Sequence, residues 1–201
     1  MDKNEQILWD SYNTLLLSKD TDRIKKLIAR YEIFKKAIKV PGDIVECGVF
    51  KGAGYMYWLK LIKLFANEEQ RTVVGFDTFK SFADSLLDYE KESAKSFVNE
   101  AFFDGVDPDE ILKNAKLSGF NNAELIAGDV LETIPRYKKE NPGFRICLLH
   151  LDLDTYKGTK VVLENFYDLV TPGGIILLDE YGKRGWGESD AVDEFFKDKN
   201  K

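Results

Sequence analysis

Acidic side chains follow two apolar segments in the second half of the chain. His150, Asp152 and Asp154 occupy alternate positions of one segment, and Asp179 and Glu180 follow the other. The carboxyl ends of parallel strands meet at one edge of a sheet, where α/β proteins bind ligands, so we expect these acids to converge. Crowded carboxylates need a counter-charge, and hard oxygen ligands suit Mg²⁺ or Ca²⁺ better than zinc. The pattern predicts a cation site; the alternative is that these acids only cap helices or form turns.

A glycine-rich turn follows an earlier apolar segment, Ile44–Cys47, and contains Gly48, Gly52 and Gly54. Glycines in such a turn allow the backbone to approach a ligand at a helix N-terminus. Glu46 stands where a dinucleotide site would have its first glycine. A carboxylate there repels pyrophosphate, whereas S-adenosylmethionine carries an ammonium and a sulfonium and has no phosphate. The turn therefore favours S-adenosylmethionine, and a turn that only joins strand to helix is the alternative.

Two further acids end apolar segments in the first two-thirds of the chain. Asp77 follows Val73–Phe76, at a distance from the glycine-rich turn where an acid can accept both ribose hydroxyls of an adenosine ligand. Asp129 follows Gly128 and precedes a helical segment. Its carboxylate can cap that helix or meet the adenine amino group, and the sequence favours neither role over the other.

Short apolar segments alternate with longer segments of helical periodicity from residue 44 onward. The predicted strands are 44–47, 72–76, 123–127, 144–151 and 174–178, and the predicted helices between and after them are 53–66, 130–138, 158–169 and 189–197. Two helices, 5–17 and 21–39, precede them. Strands that are continuously apolar are typical of a parallel sheet buried on both faces. We therefore predict a Rossmann-like, doubly wound α/β fold with helices on both faces of a parallel sheet and two N-terminal helices.

The segment 81–120 is much longer than the usual connection between two strands. We predict a helix over 109–117 within it, and insertions of this length often form lids. Its aromatic residues either close over a substrate or belong to an ordinary core; they are Phe82, Tyr89, Phe102 and Phe103. No repeat or linker divides the chain, so we expect one domain over 1–201, with the N-terminal helices in 1–40.

The composition excludes several classes of protein. A net charge of −6 disfavours a protein that coats nucleic acid, because such binding requires clustered lysine and arginine. No apolar run is long enough to span a membrane, and the polar N-terminus has no signal region. We expect a cytoplasmic protein that acts on a small molecule, with Cys47 and Cys147 as buried, reduced thiols.

Taken together, several of these segments resemble the macrocin O-methyltransferases, the antibiotic-sugar type of class I methyltransferase. The resemblance covers about residues 20–197 and rests on Pro41–Val49, Gly75–Phe79, Leu151–Tyr156, Thr171–Gly174, Asp179–Gly182 and Ala191–Phe196. It implies binding of S-adenosylmethionine and Mg²⁺ and methyl transfer to a sugar hydroxyl.

The resemblance also implies roles for individual residues. The residues that would contact the cofactor are Glu46, Gly48, Asp77, Gly128 and Asp129. The residues that would hold the metal are Asp152, Asp179 and Glu180. Glu180 stands where the family often has Asp, which keeps the charge but changes the reach of the carboxylate. Asp152 and His150 are the candidates for a catalytic role.

Two features depart from the family pattern. Its sugar methyltransferases carry a catalytic histidine after the second strand, whereas the single histidine here is His150, which we expect to be a packed neighbour of the acids. The general base is therefore unassigned. A class I methyltransferase also has two more strands after the helix near 189–197, so we expect a truncated form or an edge covered by another subunit of a homo-oligomer.

The sequence thus predicts a metal-assisted, S-adenosylmethionine-dependent O-methyltransferase that acts on a hydroxyl of a sugar or a glycosylated small molecule. One alternative is a module that binds S-adenosylmethionine without turnover, which the missing histidine favours and the acid cluster disfavours. A second is an oxidoreductase that uses NAD or a nucleotide sugar, against which Glu46 counts.

Overall fold

The computed structural model describes residues 3–67, 70–83, 85–101 and 104–199. Phe102 and Phe103 of the predicted insertion lie outside the described residues. The chain divides into two compact units, Met1–Lys35 and Lys36–Lys201. A single domain over 1–201 stays a prediction.

Two helices come first in the chain, as predicted. Helix α1 spans Lys3–Leu17 and helix α2 spans Asp22–Ala37. The Asp20 carboxylate accepts hydrogen bonds from the backbone N–H groups of Asp22 and Arg23, at 3.0 and 3.2 Å. These bonds satisfy N–H groups that have no partner within the helix, which explains why α2 begins at this position.

The second unit is built on a five-stranded sheet in the order β3-β2-β1-β4-β5, with every pair of neighbouring strands parallel. The strands are β1 Asp43–Cys47, β2 Val73–Asp77, β3 Ala123–Ala127, β4 Ile146–Leu151 and β5 Val170–Leu178. The central strand β1 lies between β2 and β4, so Glu46 is in register with Gly75 on one side and His150 on the other. The predicted Rossmann-like parallel sheet is confirmed.

Helices connect these strands and follow the last one. They are α3 Ala53–Phe65, α4 Glu90–Glu100, α5 Pro108–Leu117, α6 Val130–Glu140, α7 Tyr156–Phe166 and α8 Glu188–Phe196, with a 3₁₀ turn at Tyr167–Leu169. Five of the six were predicted to within a few residues; α4 was not. Only Glu90 and Ala94 of α4 are buried, so the helix lacks the broad apolar face that reveals a helix in a sequence.

Strand β5 begins four residues before the predicted start at Gly174. Pro172 and the two glycines that follow look like a turn in the sequence, but the segment pairs with β4 through an irregularity between Ile146 and Leu148. Irregular pairing of this kind accommodates the extra residues of the longer strand.

The core of this unit lies on both faces of the sheet. Strand β4 is buried at all six positions, and Cys47 and Cys147 are free, buried thiols. The Tyr55 hydroxyl donates to the carbonyl oxygens of Val73 (3.0 Å) and Glu124 (3.1 Å), which ties α3 to β2 and β3. Within the described residues, every helix is too short or too polar to cross a bilayer.

Candidate active site

The strands β1, β2, β4 and β5 end at the same edge of the sheet, and the residue that follows β1, β4 or β5 continues the backbone pairing. The hydrogen bonds are Gly48 N to Phe76 O (2.8 Å), Asp152 N to Cys47 O (2.8 Å) and Asp179 N to Leu151 O (3.0 Å). This pairing holds Gly48, Asp152 and Asp179 side by side, as the sequence predicted for the acids.

Gly48 touches the turn that follows β4. Its φ is +94°, and a Cβ on this residue would lie 1.9 Å from the carbonyl oxygen of Asp152. Only glycine fits at position 48, because a side chain there would push the turn after β1 away from the turn after β4.

Asp77 holds the turn after β1 and the turn after β2 at the same time. Its Oδ2 accepts from the backbone N–H groups of Val49 (2.7 Å) and Phe50 (2.8 Å), and its Oδ1 accepts from Phe79 N–H (2.7 Å). Phe50 and Phe79 have φ values of 53° and 55°, a region that costs energy for side chains of this size. Burial raises the pKa of Asp77, while these backbone hydrogen bonds oppose the rise. The contact of Asp77 with a ribose stays a prediction. The sequence did not predict that Asp77 holds these two turns.

Asp129 caps helix α6. Its Oδ1 accepts from Leu131 N–H at 2.9 Å, which is the first of the two roles that the sequence left open. Gly128, with φ +136°, donates its N–H to the carbonyl oxygen of Asp77 at 2.9 Å. Contacts of Gly128 and Asp129 with a cofactor stay predictions.

Glu46 is a buried carboxylate in the middle of the sheet. Its Oε1 lies 2.9 Å from Nδ1 of His150 and 3.3 Å from Nε1 of Trp58, which donates to it. Its Oε2 is also buried and has no hydrogen-bond partner among the residues that the structure describes. An acceptor that is buried without a donor is costly, so this oxygen is a place where a ligand with N–H groups would be favoured.

His150 joins Glu46 to the acids at the edge of the sheet. The ring is fully buried, and its Nε2 lies 3.7 Å from Oδ1 of Asp179 and 3.9 Å from Oδ2 of Asp152. Burial lowers the pKa of His150, but the nearby carboxylates of Asp179, Glu46 and Asp152 outweigh it and raise the pKa to about 9. The imidazole is therefore a cation at neutral pH when nothing else binds here.

One atom from each of His150, Asp152 and Asp179 lies within 4.8 Å of the others, which is close enough for a shared metal ion. Glu180 lies on the same turn as Asp179, but its Oε1 pairs with Nζ of Lys183 at 2.8 Å. The structure thus brings together two of the three predicted metal ligands and adds His150. A ligand role for Glu180 stays a prediction.

Asp154 is a further acid at this edge, to which the sequence gave no separate role. Its φ is +64°, and its side chain is largely buried. Burial, followed by the charges of Asp152 and Glu180, raises the pKa of Asp154 to about 8, although Lys183 opposes the rise. Its alternate spacing with Asp152 was the available signal in the sequence, because this spacing keeps both acids beyond the end of β4.

The segment after β2 crosses this edge of the sheet and is attached to it by a buried acid. Glu90 accepts from Tyr156 N–H through Oε1 and from Leu87 N–H through Oε2, both at 2.7 Å. Phe82 packs between the rings of Trp186 and Phe97, with centroids 5.4 and 5.9 Å away.

The sequence left two alternatives for the aromatic residues of this insertion: closure over a substrate or an ordinary core. The ring contacts of Phe82 fit an ordinary core. Tyr89 is exposed, and its hydroxyl donates to Asp190 at 3.3 Å. A residue at this edge that the sequence did not single out is therefore Glu90, on α4.

Comparison with known proteins connects this arrangement to one family. Residues 18–201 match the family model described as Macrocin-O-methyltransferase (TylF). The chain is 27% identical over 146 residues to mycinamicin III 3''-O-methyltransferase of Micromonospora griseorubida, covering 71% of this chain and 56% of that protein. It is 28% identical over 161 residues to demethyldecarbamoylnovobiocin O-methyltransferase of Streptomyces niveus, covering 78% of this chain and 58% of that protein. The chain thus spans little more than half the length of these relatives.

Solved structures show the same fold. CalS11, a calicheamicin methyltransferase, is similar with a TM-score of 0.74 and 29% identity, covering 91% of this chain and 75% of that one. The O-methyltransferase NovP is similar with a TM-score of 0.72 and 24% identity, covering 87% of this chain and 72% of that one, which is a likeness of fold alone.

Proposed function

Because this chain belongs to the macrocin O-methyltransferase family, we propose that it transfers a methyl group from S-adenosylmethionine to a hydroxyl oxygen of a sugar or glycosylated small molecule. The observation that carries the proposal is the cluster of His150, Asp152 and Asp179 beside the glycine-rich turn at the end of β1. The two relatives are named as O-methyltransferases of mycinamicin III and of demethyldecarbamoylnovobiocin, which supports methyl transfer to an oxygen of a small molecule.

The cofactor fits the residues at the end of β1. Oε2 of Glu46 is buried and has no donor among the described residues, so it can accept from the ammonium of the methionine part of the ligand. Gly48 allows close approach of the backbone, and Asp77 keeps the amide groups of Val49 and Phe50 in place. S-adenosylmethionine, when bound, supplies the methyl group on a positively charged sulfur.

The cluster at the ends of β4 and β5 fits a divalent cation. Two carboxylates face Nε2 of His150, and that nitrogen is buried without a hydrogen-bond partner in the described part of the chain. Asp152 and Asp179 would hold the ion, with His150 or the sequence-based candidate Glu180 as the third ligand. Mg²⁺ prefers oxygen, and Mn²⁺ accepts imidazole as well. The ion, when bound, supplies a positive charge that lowers the pKa of an acceptor hydroxyl.

Asp154 is our candidate for the general base. A base works best when its pKa lies near the working pH, and burial, with the charges of Asp152 and Glu180, raises the pKa of Asp154 to about 8 in the metal-free chain. The turn holds Asp154 in place because its carbonyl oxygen accepts from the N–H groups of Gly187 and Glu188. Asp154 would take the proton of the acceptor hydroxyl while Asp152 and Asp179 orient that hydroxyl toward the methyl group. Alignment of this kind can contribute about 7–11 kcal/mol to lowering a reaction barrier.

The experiment that tests the proposal is calorimetric titration with S-adenosylhomocysteine, with and without Mg²⁺, followed by detection of methyl transfer to a panel of glycosylated acceptors. Asp152→Ala should keep cofactor affinity within about threefold but lower turnover by about 100-fold or more, because it removes a contact to the reacting groups. Asp168→Ala, an exposed acid in the Tyr167–Leu169 turn, is the matched control and should behave as wild type. A wild-type chain that does not bind S-adenosylhomocysteine contradicts the cofactor assignment.

The location and assembly of the protein remain part of this proposal. Buried free thiols at Cys47 and Cys147 support a reducing compartment such as the cytoplasm. The edge of β5 is the place where a second copy of the chain or further strands would pair, since β5 has a neighbouring strand on one side among the described residues.

A further inference from the structure

Glu188, the first residue of α8, is a fully buried acid that no sequence pattern singled out. Its Oε1 accepts a hydrogen bond from the backbone N–H of Glu180 at 3.0 Å. Its Oε2 is buried without a hydrogen-bond partner in the part of the chain that the structure describes. Asp152, Asp179 and Glu180 are close enough for their charges to act on it. Glu188 therefore lies against the acid cluster from the side of α8.

The backbone of the same residue contacts the other turn of the site. The N–H groups of Gly187 and Glu188 both donate to the carbonyl oxygen of Asp154, at 3.0 and 3.1 Å. The side chain of Glu188 thus contacts the turn after β5, and its backbone contacts the turn after β4. Glu188 therefore connects the two turns that carry Asp152 and Asp179.

The close approach of α8 to this edge leaves no room for a side chain at Gly187. A Cβ on Gly187 would lie 2.4 Å from Oε1 of Glu90 and 2.6 Å from the backbone nitrogen of Tyr156. The start of α8 is therefore fixed against α7 and the segment after β2. A carboxylate anchored at such a fixed point can set the direction of the Asp179–Glu180 turn.

Burying a carboxylate among like charges is costly, and α8 could begin with an uncharged residue at no such cost. The hydrogen bond to the Glu180 amide is the interaction that the long side chain of Glu188 makes possible. We propose that Glu188 is a positioning residue, which holds the turns after β4 and β5 at the spacing that lets Asp152 and Asp179 share one divalent cation. This inference rests on the proposed function, because the cation belongs to it.

Two conservative substitutions separate positioning from charge. Glu188→Gln keeps the length of the side chain and its Oε1 acceptor but removes the charge. Glu188→Asp keeps the charge but shortens the side chain, so that it no longer reaches the Glu180 amide. Glu164→Gln, at an exposed position of α7, is the matched control.

The first measurement is hydrogen exchange of the Glu180 amide in the full chain by NMR. Exchange should accelerate about fivefold or more in Glu188→Asp and stay within about twofold of wild type in Glu188→Gln, because only the former loses the acceptor. This measurement needs no metal and no acceptor. Unchanged exchange in Glu188→Asp would overturn the inference.

The second measurement is titration with Mn²⁺ followed by electron paramagnetic resonance. The affinity of Glu188→Asp for Mn²⁺ should be lower than that of wild type by about 10-fold or more, because a residue that orients the metal ligands is lost. The affinity of Glu188→Gln should stay within about threefold of wild type. Affinity for S-adenosylhomocysteine should be equal in all four chains, which would show that the fold is intact. The reverse order of the two substitutions, with Glu188→Gln the weaker, would mean that Glu188 acts through charge and would overturn the inference.

A wild-type chain that binds no Mn²⁺ would contradict the metal assignment of the proposed function and, with it, the cation in the inference. The exchange of the Glu180 amide would then still decide whether Glu188 holds the turn. The two failures are therefore distinguishable.

Discussion

At the scale of single residues, Asp77 and Asp129 are both acids at strand ends, yet their surroundings differ. Asp77 uses both carboxylate oxygens to accept from three backbone amides, whereas Asp129 uses one oxygen to cap a helix. Asparagine has one acceptor oxygen and an amino group. It can replace an acid that accepts through one oxygen, but not an acid that accepts through two.

We therefore expect Asp77→Asn to lower the free energy of unfolding by about 1–3 kcal/mol, because a backbone N–H would face the new amino group. Asp129→Asn should change it by less than about 0.5 kcal/mol, since asparagine caps helices as well as aspartate does. Urea denaturation of the three chains measures both values. Equal stabilities of the two variants would contradict the role of Asp77 in the turns.

His150 makes the stability of the metal-free chain depend on pH. Its pKa is raised from 6.5 to about 9, chiefly by Asp179 and Glu46 against the effect of burial. The charged imidazole therefore stabilises the folded chain fully below pH 6.5, and this contribution is lost as the pH rises through about 9. We expect the difference in free energy of unfolding between wild type and His150→Gln to shrink between pH 6.5 and about 9. Urea denaturation with EDTA present measures this difference. An advantage that stays constant from below pH 6.5 to above pH 9 would be evidence against the raised pKa.

The sequence located the acids of the site better than it located their partners. Asp152 and Asp179 were predicted to converge because each follows a parallel strand, and the backbone pairing there is regular. The pairing of Glu180 with Lys183 and the burial of Glu188 could not be predicted, since both depend on how the segment after β5 folds back. Acids at a helix start are common on surfaces, so Glu188 gave no signal of its position.

At the scale of secondary-structure elements, α4 is the helix whose attachment matters for the site. It has few buried positions, and Glu90 connects it to the start of α7 through the Tyr156 amide. A helix with little buried apolar surface opens easily when such an attachment is lost.

We expect Glu90→Ala to make the segment from residue 81 to 101 more sensitive to limited proteolysis, about 10-fold or more, while the sheet stays folded. Glu92→Ala is the matched control, because Glu92 is exposed on the same helix. Circular dichroism checks that the rest of the chain is intact. Equal cleavage of the two variants would show that Glu90 does not hold α4.

Elements with continuous apolar runs were predicted best. Strand β3 matches its predicted range, and β1, β2 and β4 differ by one or two residues at their ends. Helix α4 and the start of strand β5 were not predicted, because tertiary contacts decide their structure more than the local sequence pattern does. In β5 the turn-forming residues are overruled by pairing with β4.

At the scale of the whole molecule, the alternation of strands and helices predicted the parallel sheet. The order of the strands places β1 at the centre, so the proposed cofactor contacts lie on β1 and β2 and after β3, and the acid cluster lies at the ends of β4 and β5.

The contact between Glu46 and His150 also bears on the order in which the chain can fold during synthesis. The two residues are 104 positions apart, and Glu46 lies in the central strand. When β1, β2 and β3 have left the ribosome, the carboxylate of Glu46 has no charged partner, so packing it into a core at that stage would be costly. The first three strands should therefore stay loosely packed until β4 emerges, and the sheet should become stable in one late, cooperative step.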